Sequence, residues 1–221
     1  RLCTEVLGSK NWGFVNINLR TYYAEGSKTV GYEIIEQLGW KAPKNIVVCM
    51  ASGSLLTKIY KSIKEFEDLG FIEPNDTKIF GAQATGCSPI STAVKNKWPV
   101  FKPVKPKTIA KSLAIGNPAD GINAINLLNS INSYSEDVSD PEIVDAMKLL
   151  AETEGIFTET AGGVTLACAK KMIESGKLPR NESLVLVITG NGLKTQDPLV
   201  NNITKPYIIE PRIEDFNKIF G

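Results

Sequence analysis

Two short runs of unbroken apolar residues constrain this chain most: Ile46-Val47-Val48-Cys49-Met50 and Leu184-Val185-Leu186-Val187-Ile188. Neither alternates with polar residues, so each reads as a strand buried on both faces, the condition of a parallel sheet held between helical layers. Each also runs straight into small residues, Ala51-Ser52-Gly53-Ser54 after the first and Thr189-Gly190-Asn191-Gly192 after the second. Helical patterns fill the intervals. Val30, Ile34 and Leu38 share one face up to Gly39, and Leu55, Leu56, Ile59, Ile63, Phe66 and Leu69 recur at helical spacing up to Gly70. Ser139-Asp140-Pro141-Glu142 is a capping box with proline in the first turn, and it opens a helix that buries Ile143, Met147 and Leu150. Val164, Cys168 and Met172 carry another helix to Gly176. Further strands are expected at Phe14 to Leu19 and Lys78 to Gln83, and a helix with Ile122, Ile125 and Leu128 after Asn117-Pro118. Residues 86–107 hold no steady period and read as an excursion over the surface or across a subunit contact. The expected fold is α/β, a mostly parallel sheet flanked by helices.

Composition removes several chemistries. With no histidine among 221 residues, the chain lacks the imidazole that Ser-His-Asp, Cys-His and most metal-water hydrolysis schemes need. Cys3, Cys49, Cys87 and Cys168 form no C-x-x-C pair, so structural zinc is not expected, and buried reduced thiols in a cytosolic setting are the simpler reading. A formal charge of +1 without a basic, aromatic-laced stripe points away from nucleic acid. No apolar stretch approaches the roughly 18–20 residues of a membrane span. Arg1 to Val6 is no signal peptide; it reads like the middle of a helix, which suggests that the numbering begins inside a longer protein.

In open α/β sheets, ligands bind beyond the carboxyl ends of the strands, which directs attention to the two small-residue loops. At Ala51-Ser52-Gly53-Ser54-Leu55 small side chains let the backbone approach an anion, and the amides and dipole of a helix start favour phosphate. A plain tight turn with an N-cap explains the same string. The loop matches neither G-x-G-x-x-G nor the Walker pattern. Thr189 offers a hydroxyl at the base of a cleft, suited to a neutral heteroaromatic nitrogen, or else a local turn bond. Glu159 reads more simply as a solvated acid than as part of the site.

Five segments in register carry a resemblance: Arg20-Thr21-Tyr22-Tyr23-Ala24-Glu25-Gly26-Ser27-Lys28-Thr29, Met50 to Ile59, Ile115-Gly116-Asn117-Pro118, Glu154-Gly155-Ile156-Phe157-Thr158-Glu159 and Thr189-Gly190-Asn191-Gly192-Leu193-Lys194. Together they resemble threonine synthase over nearly the whole chain. The resemblance implies fold type II of the pyridoxal-phosphate enzymes, the tryptophan synthase β-like arrangement. It implies conversion of O-phospho-L-homoserine and water to L-threonine and phosphate, commonly by a cytoplasmic homodimer. By position, Ala51, Ser52, Gly53, Ser54 and Leu55 would hold the cofactor phosphate, and Thr189 would meet the pyridine nitrogen. The family's loop is often Gly-Asn-Ala-Gly-Asn, so only the backbone role carries over to Ala51 to Leu55. The family's Schiff-base lysine sits in a lysine-aspartate motif, and no Lys-Asp-Arg or Lys-Asp-Gly string occurs here. The expectation is therefore that residues 1–20 close the preceding smaller domain, that residues 21–221 form the C-terminal cofactor-binding domain, and that the lysine lies outside this chain. A threonine dehydratase or cysteine synthase relative would share the strand-loop pattern but not the Tyr22-Tyr23 and Ile115-Gly116 strings. A truncated, non-catalytic binder of pyridoxal phosphate would also fit the missing lysine.

Overall fold

The computed structural model describes residues 2–14, 20–200 and 206–221. In chain order these form α1 (Leu2–Ser9), α2 (Arg20–Gly26), α3 (Thr29–Gln37), β1 (Asn45–Cys49), α4 (Ser54–Asp68), β2 (Lys78–Ala84), α5 (Pro89–Lys95), α6 (Gly121–Ser130), β3 (Ser135–Val138), α7 (Asp140–Glu154), α8 (Thr160–Glu174), β4 (Leu184–Val187), α9 (Asp197–Val200) and α10 (Ile213–Phe220). The four strands make one parallel sheet in the order β3-β2-β1-β4. The expected strand at Phe14 to Leu19 falls, beyond Phe14, outside the described residues.

The unbroken apolar run of β1 is explained by its central place. All five of its residues are buried, and successive side chains enter opposite cores. Val47 and Cys49 pack with Phe80, Val164, Cys168 and Met172 on the α7–α8 side. Ile46, Val48 and Met50 pack with Leu56, Ile59, Ile63 and Ile125 on the side of α3, α4, α5 and α6. Burying each such aliphatic side chain contributes about 1.5–3 kcal/mol, so a polar residue on either face of β1 would be costly.

The second apolar run differs from expectation. β4 is an edge strand, with β1 its one sheet neighbour among the described residues, and Leu184, Val185 and Leu186 are only half-buried. Its apolar character does not come from cover on both faces.

The capping box at Ser139 forms as the sequence predicts: its amide and hydroxyl both donate to Glu142 Oε2 at 2.6 Å, and these bonds lower the Glu142 pKa. Ile143, Met147 and Leu150 are buried below it. In α6, Ile125 and Leu128 face the core, but Ile122 is exposed, because Pro118 to Asp120 form a turn and the helix begins only at Gly121.

Several elements lie where the sequence suggested none, β3 and α5 among them. β3 is polar, yet Glu136 is buried because Lys95 of α5 pairs with Glu136 and Asp137, while the Ser135 hydroxyl lies 2.6 Å from that of Ser91. The same contacts anchor α5, a seven-residue helix inside the aperiodic 86–107 stretch. After α5 the chain returns as an extended strap. Val104 donates to Gly116 O and Lys107 donates to Gly86 O, both at 2.9 Å. Side chains are excluded at both glycines, since a Cβ on Gly86 or Gly116 would lie 1.8 Å from the carbonyl oxygen of Lys107 or Val104.

Candidate functional site

β1 and β4 are adjacent and parallel, so the two small-residue loops emerge side by side at one end of the sheet. They share a cleft of about 190 Å³, with Cys49, Met50, Ala51, Ser52, Gly53 and Leu55 on one side and Glu159, Ala161 and Thr189 on the other. Tyr23 from α2 and Ser112 and Leu113 from the end of the strap complete it. Among the described residues, no lysine lines this cleft. Larger surface hollows, including one of about 440 Å³ between α7 and α8, lie away from the carboxyl ends of the strands.

The first loop has features that suit an anion. Gly53 precedes α4 at φ +90°, a conformation that disfavours side chains, and a Cβ there would come within 3.0 Å of Ala124 Cβ and 3.1 Å of Asp120 O. The reversal points the chain into the first turn of a 15-residue helix. The amides of Ser52, Gly53 and Leu55 have no acceptor among the described residues, and the buried Ser54 hydroxyl has no partner there either. An unsatisfied buried hydroxyl beside free amides at a helix start is costly unless a ligand satisfies it. Asp120 steadies the loop from below. Its amide donates to Ser52 O at 3.0 Å and its carboxylate pairs with Arg20 of α2. α2 is in turn clamped to α4 by Glu25, whose contacts with Lys28 (2.6 Å), Lys58 (3.2 Å) and Lys61 (3.4 Å) hold its pKa at about 2.

On the opposite wall Thr189 Oγ1 lies 3.9 Å from Cys49 Sγ and 3.5 Å from Glu159 Oε1. Thr189 therefore faces the cleft rather than closing a local turn. Glu159, read from sequence as a solvated acid, is 3% exposed. Burial follows from a tight junction: its amide donates to Gly190 O at 2.9 Å, Gly192 N donates to Phe157 O at 2.9 Å, and α8 starts immediately after it. The signal that could have exposed this residue was the small-residue run on both sides of the junction, Ala161-Gly162-Gly163 and Gly190-Asn191-Gly192, which permits close backbone approach. Burial raises the pKa of the Cys49 thiol; Cys87 and Cys168 are likewise buried and free, and Cys3 is free and exposed.

The family model described as "Pyridoxal-phosphate dependent enzyme" matches residues 1–190. The chain belongs to that family. Within it, the chain is similar to threonine synthases: 38% identical over 194 residues to that of Methanocaldococcus jannaschii, covering 87% of this chain and 48% of the relative. It is 34% identical over 206 residues to that of Methanosarcina acetivorans, covering 92% and 51%. The chain thus spans about half the length of the curated relatives it matches. Solved structures agree on the fold. The processed threonine deaminase isoform 2 of Solanum lycopersicum superposes with a TM-score of 0.62 at 20% identity, covering 80% of this chain and 49% of the other. An L-serine ammonia-lyase from Rhizomucor miehei gives 0.59 at 23%, covering 79% and 55%.

The cradle's chemistry fits the family's cofactor. Free amides, a helix N-terminus and an unpaired serine hydroxyl suit a phosphate ester, and a threonine hydroxyl on the far wall suits a ring heteroatom. Lys28 is held by Glu25 and Glu65, and Lys194 is exposed beside Glu159, so neither contributes to the cleft's lining. Among the described residues no helix is long and apolar enough to cross a membrane.

Proposed function

We propose that the intact protein is a threonine synthase that converts O-phospho-L-homoserine and water to L-threonine and phosphate, with this chain supplying the cofactor's phosphate cradle, its ring-nitrogen contact and part of the substrate cleft. The observation that carries the reading is the convergence of the 51–55 loop, with its free amides, and Thr189 on a single cleft. Pyridoxal phosphate, when bound, supplies the electron sink for chemistry at the substrate's α, β and γ carbons. The chain's own residues bind and orient. Ala51, Ser52, Gly53, Ser54 and Leu55 hold the phosphate through amides and one hydroxyl, Thr189 meets the ring nitrogen, and Tyr23 and Leu113 limit the water that reaches the ring.

In this reading the Schiff-base lysine lies outside these residues, residues 1–20 end a smaller preceding domain, and the working form is a homodimer. The similarity to threonine synthases at 34–38% identity supports the phosphate-ester substrate over the threonine deaminase chemistry named for structural neighbours at about 20%. The test is product analysis with the intact protein. Inorganic phosphate released from O-phospho-L-homoserine in step with threonine formation is the expected result. Ammonia released from threonine, with no phosphate from phosphohomoserine, would overturn the assignment.

A further inference from the structure

The formal charge of +1 is spread unevenly. Six of the chain's 25 basic residues and none of its 24 acids fall between Lys95 and Lys111, so these 17 residues carry +6 while the other 204 carry −5. Prolines and apolar residues space the lysines, and no run of adjacent charges marks the segment in the sequence. The fold neutralises one of the six, since Lys95 pairs with Glu136 and Asp137. Lys97, Lys102, Lys105, Lys107 and Lys111 are exposed, and among the described residues none of these five forms an ion pair. Backbone bonds fix where the strap that carries them runs. Lys107 N donates to Gly86 O just beyond β2, and Asp140, just beyond β3, accepts from Thr108 Oγ1 at 2.6 Å and from Ile109 N at 3.2 Å. Both anchor points lie at the carboxyl ends of the strands, where the cleft opens. Ser112 and Leu113, directly after Lys111, line the cleft itself. The Asp140 carboxylate faces the strap but is taken up by that hydroxyl and amide, while Asp120 is paired with Arg20 and Glu159 with Lys194. Pro99, Pro103 and Pro106 fix φ along the strap and limit its freedom to fold back onto an acid.

We propose that the strap lysines form an electrostatic funnel that draws small phosphate monoesters, the cofactor and the phosphorylated substrate, toward the cleft. The inference rests on the reading of the cleft as the place where both bind. A phosphate monoester carries about −1.5 to −2 at neutral pH, and a surface of one sign beside a cleft raises the local concentration and on-rate of opposite charges by roughly tenfold or more at low salt. Screening over about 8 Å at physiological ionic strength confines the effect to charges near the rim. Lys105, Lys107 and Lys111, the three nearest in sequence to Ser112, are therefore the main contributors. They attract the anion without holding it, because the amides of the 51–55 loop do that.

The test compares two triple variants of the intact protein that remove equal charge: Lys105→Gln with Lys107→Gln and Lys111→Gln on the strap, and Lys41→Gln with Lys170→Gln and Lys177→Gln, exposed lysines away from it. KM and kcat for O-phospho-L-homoserine are measured from low to high potassium chloride. The strap variant is expected to raise KM about three- to tenfold at low salt, to leave kcat unchanged and to flatten the dependence of KM on salt, while the second variant behaves like the wild type. An unchanged KM and salt dependence in the strap variant would overturn the funnel. So would an equal effect of the second variant, which would make net charge the cause. The association rate of pyridoxal phosphate with the apoprotein reads the funnel without turnover. It should slow in the strap variant, whereas pyridoxal, which lacks the phosphate, should associate at the wild-type rate. If the wild type releases no phosphate from O-phospho-L-homoserine but cofactor association still depends on the strap, the substrate assignment fails and the funnel stands for the cofactor. If phosphate is released but neither KM nor cofactor association responds to the strap, the funnel fails and the substrate assignment stands.

Discussion

Gly53→Val is expected to weaken pyridoxal phosphate binding about tenfold or more and to cost about 1–3 kcal/mol of stability. Gly53 sits at φ +90°, where a β-branched residue is strained whatever its surroundings, and its surroundings are full. A Cβ would meet Ala124 Cβ at 3.0 Å, Asp120 O at 3.1 Å and Ile90 Cδ1 at 3.3 Å, and two further methyls would enlarge each overlap. The loop can relieve this only by lifting off α6, which moves the amides of Ser52 and Gly53 and the hydroxyl of Ser54 out of the arc that faces an anion. Denaturant unfolding reads the stability loss, and cofactor titration reads the affinity. Gly176→Ala is the control. Its φ of +70° imposes comparable backbone strain, but open space surrounds it far from the cleft, so stability should fall while cofactor affinity holds.

Gly163→Val should be the more damaging change to the fold, at about 3 kcal/mol. Gly163 lies in the first turn of α8, where the helix backbone presses on α7. A Cβ there would be 2.7 Å from Met147 Cγ and 2.8 Å from the Ile143 carbonyl oxygen. The methionine can swing aside, but the carbonyl belongs to a helix backbone and cannot, so α8 must shift. Because Glu159 immediately precedes α8, the shift also displaces the wall of the cleft. Adding Met147→Ala to Gly163→Val should recover part of the loss, since one of the two obstacles disappears, and a double-mutant cycle of unfolding free energies measures that coupling. Full additivity of the two substitutions would mean that Gly163 and Met147 do not compete for the same space.

How much of this could be read beforehand follows from where the chain's signals are local. β1 was legible because both faces of a central parallel strand must be apolar, and α7 because Ser139-Asp140-Pro141-Glu142 announces its own start. The positions of the two candidate loops were legible for the same reason: each follows an apolar run. β3 was not, since Ser135, Glu136 and Asp137 look like loop until Lys95 and Ser91, more than forty residues earlier, arrive to satisfy them. β4 misled in the other direction, its apolar residues sitting at a sheet edge. Glu159 was misjudged because an acid's burial depends on what folds over it, and here that cover is the Gly190–Gly192 turn, thirty residues downstream. The glycines at 86 and 116 acquire a reason only in three dimensions, as the places where the strap's backbone lies against them.

The measurement that tests the central claim most directly is borohydride reduction of the intact, pyridoxal phosphate-loaded protein, followed by peptide mapping of the labelled lysine. The account predicts stoichiometric labelling at a lysine outside these 221 residues, because among the described residues no lysine lines the cleft between the 51–55 loop and Thr189. Stoichiometric labelling of a lysine within them, Lys194 or Lys28 included, would contradict it.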